Sequence, residues 1–228
     1  MIEIKNVSKL YNGSKGLALK ETSLALEPGE FIFLVGPSGA GKSTLIKLMF
    51  REQLPTSGEI FFENRNMADY SKRELLAHRR KIGMVFQDYK LLKQKTVYEN
   101  VAFALEVLGK SPKEIQKKVP EALEKVGLSQ KKDKFPKELS GGEQQRVGIA
   151  RAIIKQPVLI LADEPTGNLD RDNALQLMKL FEKINKEGTT VVIATHAWDL
   201  VDRMQKRVVA LSSGELMRDE QGGYSNNE

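Results

Sequence analysis

Five apolar residues in a row, Phe31-Ile32-Phe33-Leu34-Val35, run straight into Gly36-Pro37-Ser38-Gly39-Ala40-Gly41-Lys42-Ser43. A run that is apolar at odd and even positions leaves neither face for water. It predicts a strand buried on both sides, as in a parallel sheet. The residues after it match the spacing G-x-x-x-x-G-K-[ST], which requires a strand before it and a helix after it. Glycines let the backbone wrap around phosphates with its N–H groups turned inward, and a helix N-terminus adds the positive end of its dipole. Gly36, Pro37, Ser38, Gly39, Ala40, Gly41, Lys42, Ser43 and Thr44 are therefore expected to cradle a nucleotide. Lys42 would place a point charge on the β- and γ-phosphates, and Ser43 would turn its hydroxyl to Mg²⁺.

Similar apolar runs recur at Val158–Ala162, Thr190–Ala194 and Val208–Leu211. Between them, Ala174, Leu177, Met178, Phe181 and Ile184 fall on one face of a helix over Ala174–Glu187. Strands alternating with helices predict an α/β fold with a mostly parallel sheet covered on both faces. At the N-terminus Ile2, Ile4 and Val7 alternate with Glu3 and Lys5, which predicts an edge or half-exposed strand. Glu27-Pro28-Gly29-Glu30 reads as a turn. The stretch 88–140 differs. Ser111-Pro112-Lys113-Glu114 is a capping box with proline at the first helical position. Helical segments broken at Pro120, Gly127 and Pro136 follow, with no long buried strand. The expected organisation is one domain over 1–228, with a core and N-terminal antiparallel β-subdomain in 1–87 and 141–228 and an inserted helical subdomain in 88–140. The polar tail 221–228 is expected to fray.

The chain contains no cysteine, which excludes disulfides, thiol nucleophiles and cysteine-held metal clusters. Its longest apolar runs, about half a dozen residues, are far below the roughly 18 that span a bilayer. The first residues lack the apolar core of a signal peptide. A link to a membrane would run through a partner or the surface. The 36 Lys+Arg against 30 Asp+Glu are unevenly spread: Lys72–Lys95 holds eight bases and two acids, and Lys110–Lys137 nine bases and four acids. A solvated helical surface, an anionic membrane surface and a nucleic acid all fit such a zone.

Two further segments carry chemistry. Leu159-Ile160-Leu161-Ala162-Asp163-Glu164 ends a buried strand in two carboxylates, where ligands of open α/β sheets bind. Asp163 is placed to hold Mg²⁺ through water, and Glu164 to polarise an attacking water as general base. In Leu139-Ser140-Gly141-Gly142-Glu143-Gln144-Gln145-Arg146, Ser140 and Glu143 form a capping box, so Ser140, Gly141 and Gly142 open a second helix suited to an anion. Two phosphate-binding helix starts in one chain make sense if the second caps a γ-phosphate held by a neighbouring copy.

The phosphate loop, the carboxylate pair and the LSGGEQQR segment together resemble the ATP-binding-cassette (ABC) ATPases, over nearly the whole chain. The resemblance implies a P-loop NTPase (RecA-like) core and an Mg-dependent ATPase that works as an ATP-dependent homodimer. It implies that Tyr11 stacks on adenine and that Gln87 senses Mg²⁺ and the attacking water. The implied metal set is Ser43, Gln87 and Asp163. His196 contacts the γ-phosphate, and Asn168-Leu169-Asp170 crosses to the partner copy. The implied catalytic group is Glu164, His196, Gln87 and Lys42. Ala197 stands where many members carry aspartate, and Trp198 beside it reads as core packing.

Asp163-Glu164-Pro165-Thr166-Gly167-Asn168-Leu169-Asp170, Phe86–Leu92 and Thr96–Val101 resemble the FtsE-type cell-division branch of that family. The alternative is the branch serving lipoprotein release or macrolide export. The cell-division branch implies a cytoplasmic protein, peripheral on the inner face of the cell membrane through the integral membrane protein FtsX, which drives peptidoglycan hydrolases outside the cell. The basic zone would then face partner and anionic lipid, with a groove at Gln87–Leu92 and near Tyr98 receiving the partner. A single cassette without sustained heptads argues against a nucleic-acid partner.

Overall fold

The structure is a computed structural model that describes residues 1–13 and 16–222. Two sheets share the chain. The first is antiparallel, in the order β2-β1-β4-β5, built from β1 (Ile2–Lys9), β2 (Leu19–Leu26), β4 (Ser57–Phe62) and β5 (Arg65–Asn66). The second has six strands, β10-β9-β3-β8-β7-β6, formed by β3 (Phe31–Val35), β6 (Ile82–Phe86), β7 (Leu159–Asp163), β8 (Thr190–Ala194), β9 (Arg207–Ser212) and β10 (Glu215–Glu220). All neighbours in it run parallel except the β9–β10 pair.

The double burial of Phe31–Val35 has a simple cause. Phe31, Phe33 and Val35 pack into one core, and Ile32 and Leu34 into another on the opposite face of the sheet. The first core also holds Val147, Ile149, Phe181 and Leu177, from α5 (Gly141–Ile153) and α6 (Arg171–Lys186). The second holds Leu45, Ile46, Leu48 and Met49 of α1 (Lys42–Met49), with Ile2, Ile4, Ile60 and Phe62 of the antiparallel sheet. The helical face expected over Ala174–Glu187 is the buried side of α6.

β1 buries Ile2, Ile4 and Val7 and exposes Glu3 and Lys5 as its alternation requires, but it is not an edge. It lies between β2 and β4. A bulge keeps its pattern in phase: the register shifts between Ile4 and Val7, and Asn6 there has φ 47°.

From residue 87 to 140 the chain forms α3 (Val97–Glu106), α4 (Pro112–Lys125) and two short 3-10 turns, with no strand among the described residues. Pro120 does not break this segment, contrary to expectation. It sits inside α4 on the exposed side, and the carbonyl it leaves without a donor, that of Gln116, is on the exposed side as well. Water can serve that carbonyl, while Val119, Ala122 and Leu123 hold the buried face. The helix stops at Lys125, before Gly127, as expected. Residues 223–228 of the polar tail lie outside the described residues.

Candidate nucleotide site

The parallel strands deliver their carboxyl ends to one rim. Phe86, Asp163 and Ala194 are register partners across β6, β7 and β8, so Gln87, Glu164 and Thr195 emerge side by side. The loop after β3 curls above them. A cleft of about 780 Å³ results, lined by residues 37–44, Gln87, Glu164, His196 and Trp198.

Gly36 opens the loop with φ 143°, and a Cβ built on it would lie 2.1 Å from the carbonyl oxygen of Leu211 in β9. Only glycine fits there. Helix α1 has no side-chain cap. Helices α3, α5, α6 and α2 (Lys72–Lys81) are capped by Thr96, Ser140, Asp170 and Ser71. The first N–H groups of α1 thus face the cleft uncapped, which suits a phosphate. Lys42 is buried, and its Nζ donates to the carbonyls of Gly36 (2.8 Å) and Pro37 (3.1 Å). It also lies 3.7 Å from Oε1 of Glu164.

Ser43 Oγ donates to Asp163 Oδ1 at 3.0 Å. Burial pushes the Asp163 carboxyl above its usual range. The Glu164 carboxylate pushes the same way, and the Ser43 hydrogen bond and Lys42 oppose it. A desolvated carboxylate beside a hydroxyl is a donor set that a small hard cation relieves. No cluster of three or more His, Cys, Asp or Glu occurs among the described residues. One carboxylate and one hydroxyl fit Mg²⁺, which keeps several waters and takes ligands from the phosphates.

Glu164 has a left-handed backbone, φ 48°, held by its N–H donating to Ala194 O (2.9 Å) and its carbonyl accepting from Gly167 N (3.1 Å). Strain of this kind costs about 1–3 kcal/mol and collects at functional sites. The side chain is 17% exposed. The buried Oε2 lies 3.0 Å from Nδ1 of the exposed His196 and accepts no hydrogen bond within the protein.

Gln87 is tied from behind: its carbonyl accepts from Asn168 Nδ2 (3.1 Å), and its side-chain amide packs against Gly167. Asp170, expected to cross to a partner, caps α6 through Asn173 N (2.9 Å). Tyr11 is half-buried, its hydroxyl 3.5 Å from Thr44 Oγ1 and the ammonium of Lys9 5.1 Å from its ring centre. It adjoins the cleft without lining it. Trp198 is only partly core packing, since it also walls the cleft. Ala197 leaves α7 (Trp198–Met204) without a side-chain cap, a place aspartate could fill.

Ser140, Gly141 and Gly142 do not line this cleft. Ser140 and Glu143 form the expected reciprocal cap at the start of α5. One residue of that helix escaped sequence reasoning. Gln145 is fully buried, and its amide donates to Pro165 O at 2.8 Å, linking α5 to the segment after Glu164. A polar residue on a buried helix face was the only available signal.

A second concavity, of about 550 Å³, lies between α2, β6, α3 and α5 and includes Lys90 and Leu92, but not Gln87 or Tyr98. Its wall is mainly apolar, with Leu76, Phe103 and Val107 exposed, and its charges are all basic. Burial lowers the ammonium of Lys155 there to about 8. No helix among the described residues is long and apolar enough to cross a membrane.

The ABC transporter family profile matches residues 19–167. The cell division ATP-binding protein FtsE of Bacillus subtilis (strain 168) is 54% identical over 224 residues, 98% of this chain and 97% of that protein. FtsE of Escherichia coli (strain K12) is 48% identical over 216 residues, 95% and 97% of the two chains. Among solved structures, a dimeric post-hydrolysis state of the ATP-binding cassette MJ0796 bound to ADP and Pi superposes with a TM-score of 0.87 at 38% identity, covering 97% of this chain and 98% of that one.

Proposed function

Since the chain belongs to the ABC transporter ATPase family, and within it to the FtsE cell-division ATP-binding proteins, we propose that it converts ATP binding and hydrolysis into movement of a membrane partner of the FtsX type. It is an ATP-hydrolysing enzyme. The working unit in this reading is a homodimer with two ATPs at its seam. Each copy offers the phosphate loop of Gly36–Thr44, and the other copy closes it with Ser140, Gly141 and Gly142. That the signature turn and the phosphate loop of one chain do not share a cleft supports this division.

The observation that carries the catalytic part is the Glu164 carboxylate at the wall of the cleft, its Oε1 3.7 Å from Lys42 and its Oε2 3.0 Å from Nδ1 of His196. A carboxylate so placed can accept a proton from a water in the cleft. In the proposed step Glu164 accepts that proton as the water oxygen bonds to the γ-phosphorus and the bond to the bridging oxygen breaks, releasing ADP and phosphate. Lys42 leaves the carbonyls of Gly36 and Pro37 for the β- and γ-phosphates. His196 holds the γ-phosphate, Gln87 orients the water, and Tyr11 supports the adenine. Ser43, Asp163 and Gln87 would hold Mg²⁺, which when bound neutralises phosphate charge.

Coupling runs through the basic-rimmed apolar groove, on a helical unit within 88–140 and the adjoining α2. Through such a partner the protein is peripheral on the inner membrane face, with anionic lipid near α2, and the output is activation of a peptidoglycan hydrolase outside the cell. The cell-division names of its relatives favour this partner over lipoprotein-release or macrolide-export machinery. Co-purification from detergent-solubilised membranes tests it. Recovery of an FtsX-type membrane protein is expected, and recovery of a transporter permease instead would overturn the assignment.

A further inference from the structure

Arg151, in the last turn of α5, donates from Nη1 to the carbonyl of Lys90 (2.6 Å) and from Nη2 to that of Tyr89 (2.8 Å). Both acceptor residues are left-handed, Tyr89 at φ 58° and Lys90 at φ 48°. Side-chain-bearing residues rarely take that conformation, and here one guanidinium ties the carbonyls of two in succession. The planar fork of arginine supplies two adjacent donors, which a lysine cannot. Burial lowers the guanidinium from its ordinary value, consistent with a group committed to the interior.

The kink so held sits between three working parts. Gln87, in the nucleotide cleft, is two residues before Tyr89. The Tyr89 hydroxyl lies against Gly141, where a Cβ would come within 2.9 Å of it. Lys90 and Arg151 are both walls of the apolar groove.

The geometry points to Arg151 as a positioning residue for ATP hydrolysis: its fork holds the Tyr89–Lys90 kink, and the kink aims Gln87 into the cleft. The inference rests on the role proposed above for Gln87. The phosphate loop lies elsewhere, so the loss should appear in kcat and not in KM.

The test measures steady-state ATPase of the full-length chain with MgATP, together with thermal unfolding. Arg151→Ala should lose about tenfold in kcat with KM within about twofold. Adding Lys90→Gly, which adopts the left-handed conformation without help, should recover a large part of that loss. Arg151→Lys keeps charge and stem without the fork, so it serves if the alanine variant does not fold, and it should also lose at least about fivefold in kcat. Gln87→Ala is measured alongside and should be slow. Normal kcat in folded Arg151→Ala or Arg151→Lys beside a slow Gln87→Ala overturns the inference and leaves the proposed function standing. Normal kcat in Gln87→Ala removes that residue's proposed role, and the route through it as well. Loss without recovery by Lys90→Gly shows that the kink is not what Arg151 holds.

Discussion

Nδ1 of His196 lies 3.0 Å from Oε2 of Glu164, yet that oxygen accepts no hydrogen bond. The other oxygen, Oε1, faces Lys42 at 3.7 Å. The carboxylate thus sits between a buried ammonium and an exposed imidazole at the wall of the cleft, a place that suits a general base. Glu164→Gln keeps the shape and removes the basicity. It should bind ATP normally and turn over at least about a hundredfold slower. With ATP trapped, the hydrodynamic mass should double. Near-normal phosphate release would remove Glu164 as the base.

Two glycines of the phosphate loop should respond differently to the same change. Gly36→Ala drives a Cβ to 2.1 Å from backbone that belongs to β9, so the sheet itself must give. The expected cost is about 3 kcal/mol. Gly39 also has positive φ, 78°, but a Cβ added there would meet nothing within 4 Å. Gly39→Ala should cost about 1 kcal/mol, from backbone conformation alone. Urea denaturation of both variants checks this, and equal losses would show that the β3–β9 contact yields.

His78 in α2 is buried, and its Nε2 donates to the carbonyl of Met49 at the end of α1 (2.9 Å). Its Nδ1 is buried without a partner, between the rings of Phe62 and Tyr70. Burial first, then Arg79, Lys81 and Arg51, hold its pKa below the ordinary value, and the Met49 bond only partly opposes them. The unfolded chain therefore takes up a proton at higher pH than the folded one. Stability from this residue is fully present above about pH 6.5 and is lost as pH falls below it, with a slope on the order of 1 kcal/mol per pH unit. Unfolding free energies between pH 7.5 and 5.5 should fall more steeply in the wild type than in His78→Gln. Parallel curves would assign the acid sensitivity to other groups.

The parts of this fold that could be read from the chain are those whose meaning is local. Phe31–Val35 and, after Thr190, Val191 to Ala194 are apolar throughout, so their burial on both faces needed no partner to interpret. The phosphate loop and the Ser140–Glu143 box carry their geometry in their spacing. The central place of β1 depends on β4, some fifty residues away, and on a bulge at Asn6 that alternation does not announce. Pro120 reads as a break until the buried face of α4 is seen to hold the helix together. Gln145 and Arg151 are ordinary polar helix residues in sequence, and only their tertiary acceptors, Pro165 and the Tyr89–Lys90 kink, give them a task. The groove was legible only in part: Lys90 and Leu92 of the expected stretch line it, but Gln87 and Tyr98 do not, because four separate elements build it.

The basic zone divides on inspection. In 110–137, Lys110 and Lys118 pair with Glu114, Lys125 with Glu187, Lys131 with Glu143 and Lys134 with Glu138, so much of that charge is answered within the protein. Lys72, Arg73 and Arg80 on α2 are exposed beside the groove region. If α2 faces anionic lipid, the chain should sediment with vesicles containing acidic phospholipid and not with neutral ones, and about 0.5 M salt should release it. Equal sedimentation with both would return α2 to a plain solvated surface.

Val107, 65% exposed, is the most open apolar residue of the groove wall, with Leu76 at 55% and Phe103 at 39% on the same concavity. Leaving three such side chains in water is unfavourable unless a partner covers them. Their exposure also means that changing one has little effect on the fold, within about 0.5 kcal/mol. Val107→Lys adds a cation to a site already lined by Arg79, Arg80, Lys90, Arg151 and Lys155. An apolar segment of the partner would lose contact area at Val107 and would have to bury an ammonium against its apolar side chains. The variant should keep the ATPase activity and melting temperature of the isolated chain and lose at least about tenfold in recovery of the membrane partner on co-purification. Undiminished recovery would move the docking surface away from this groove.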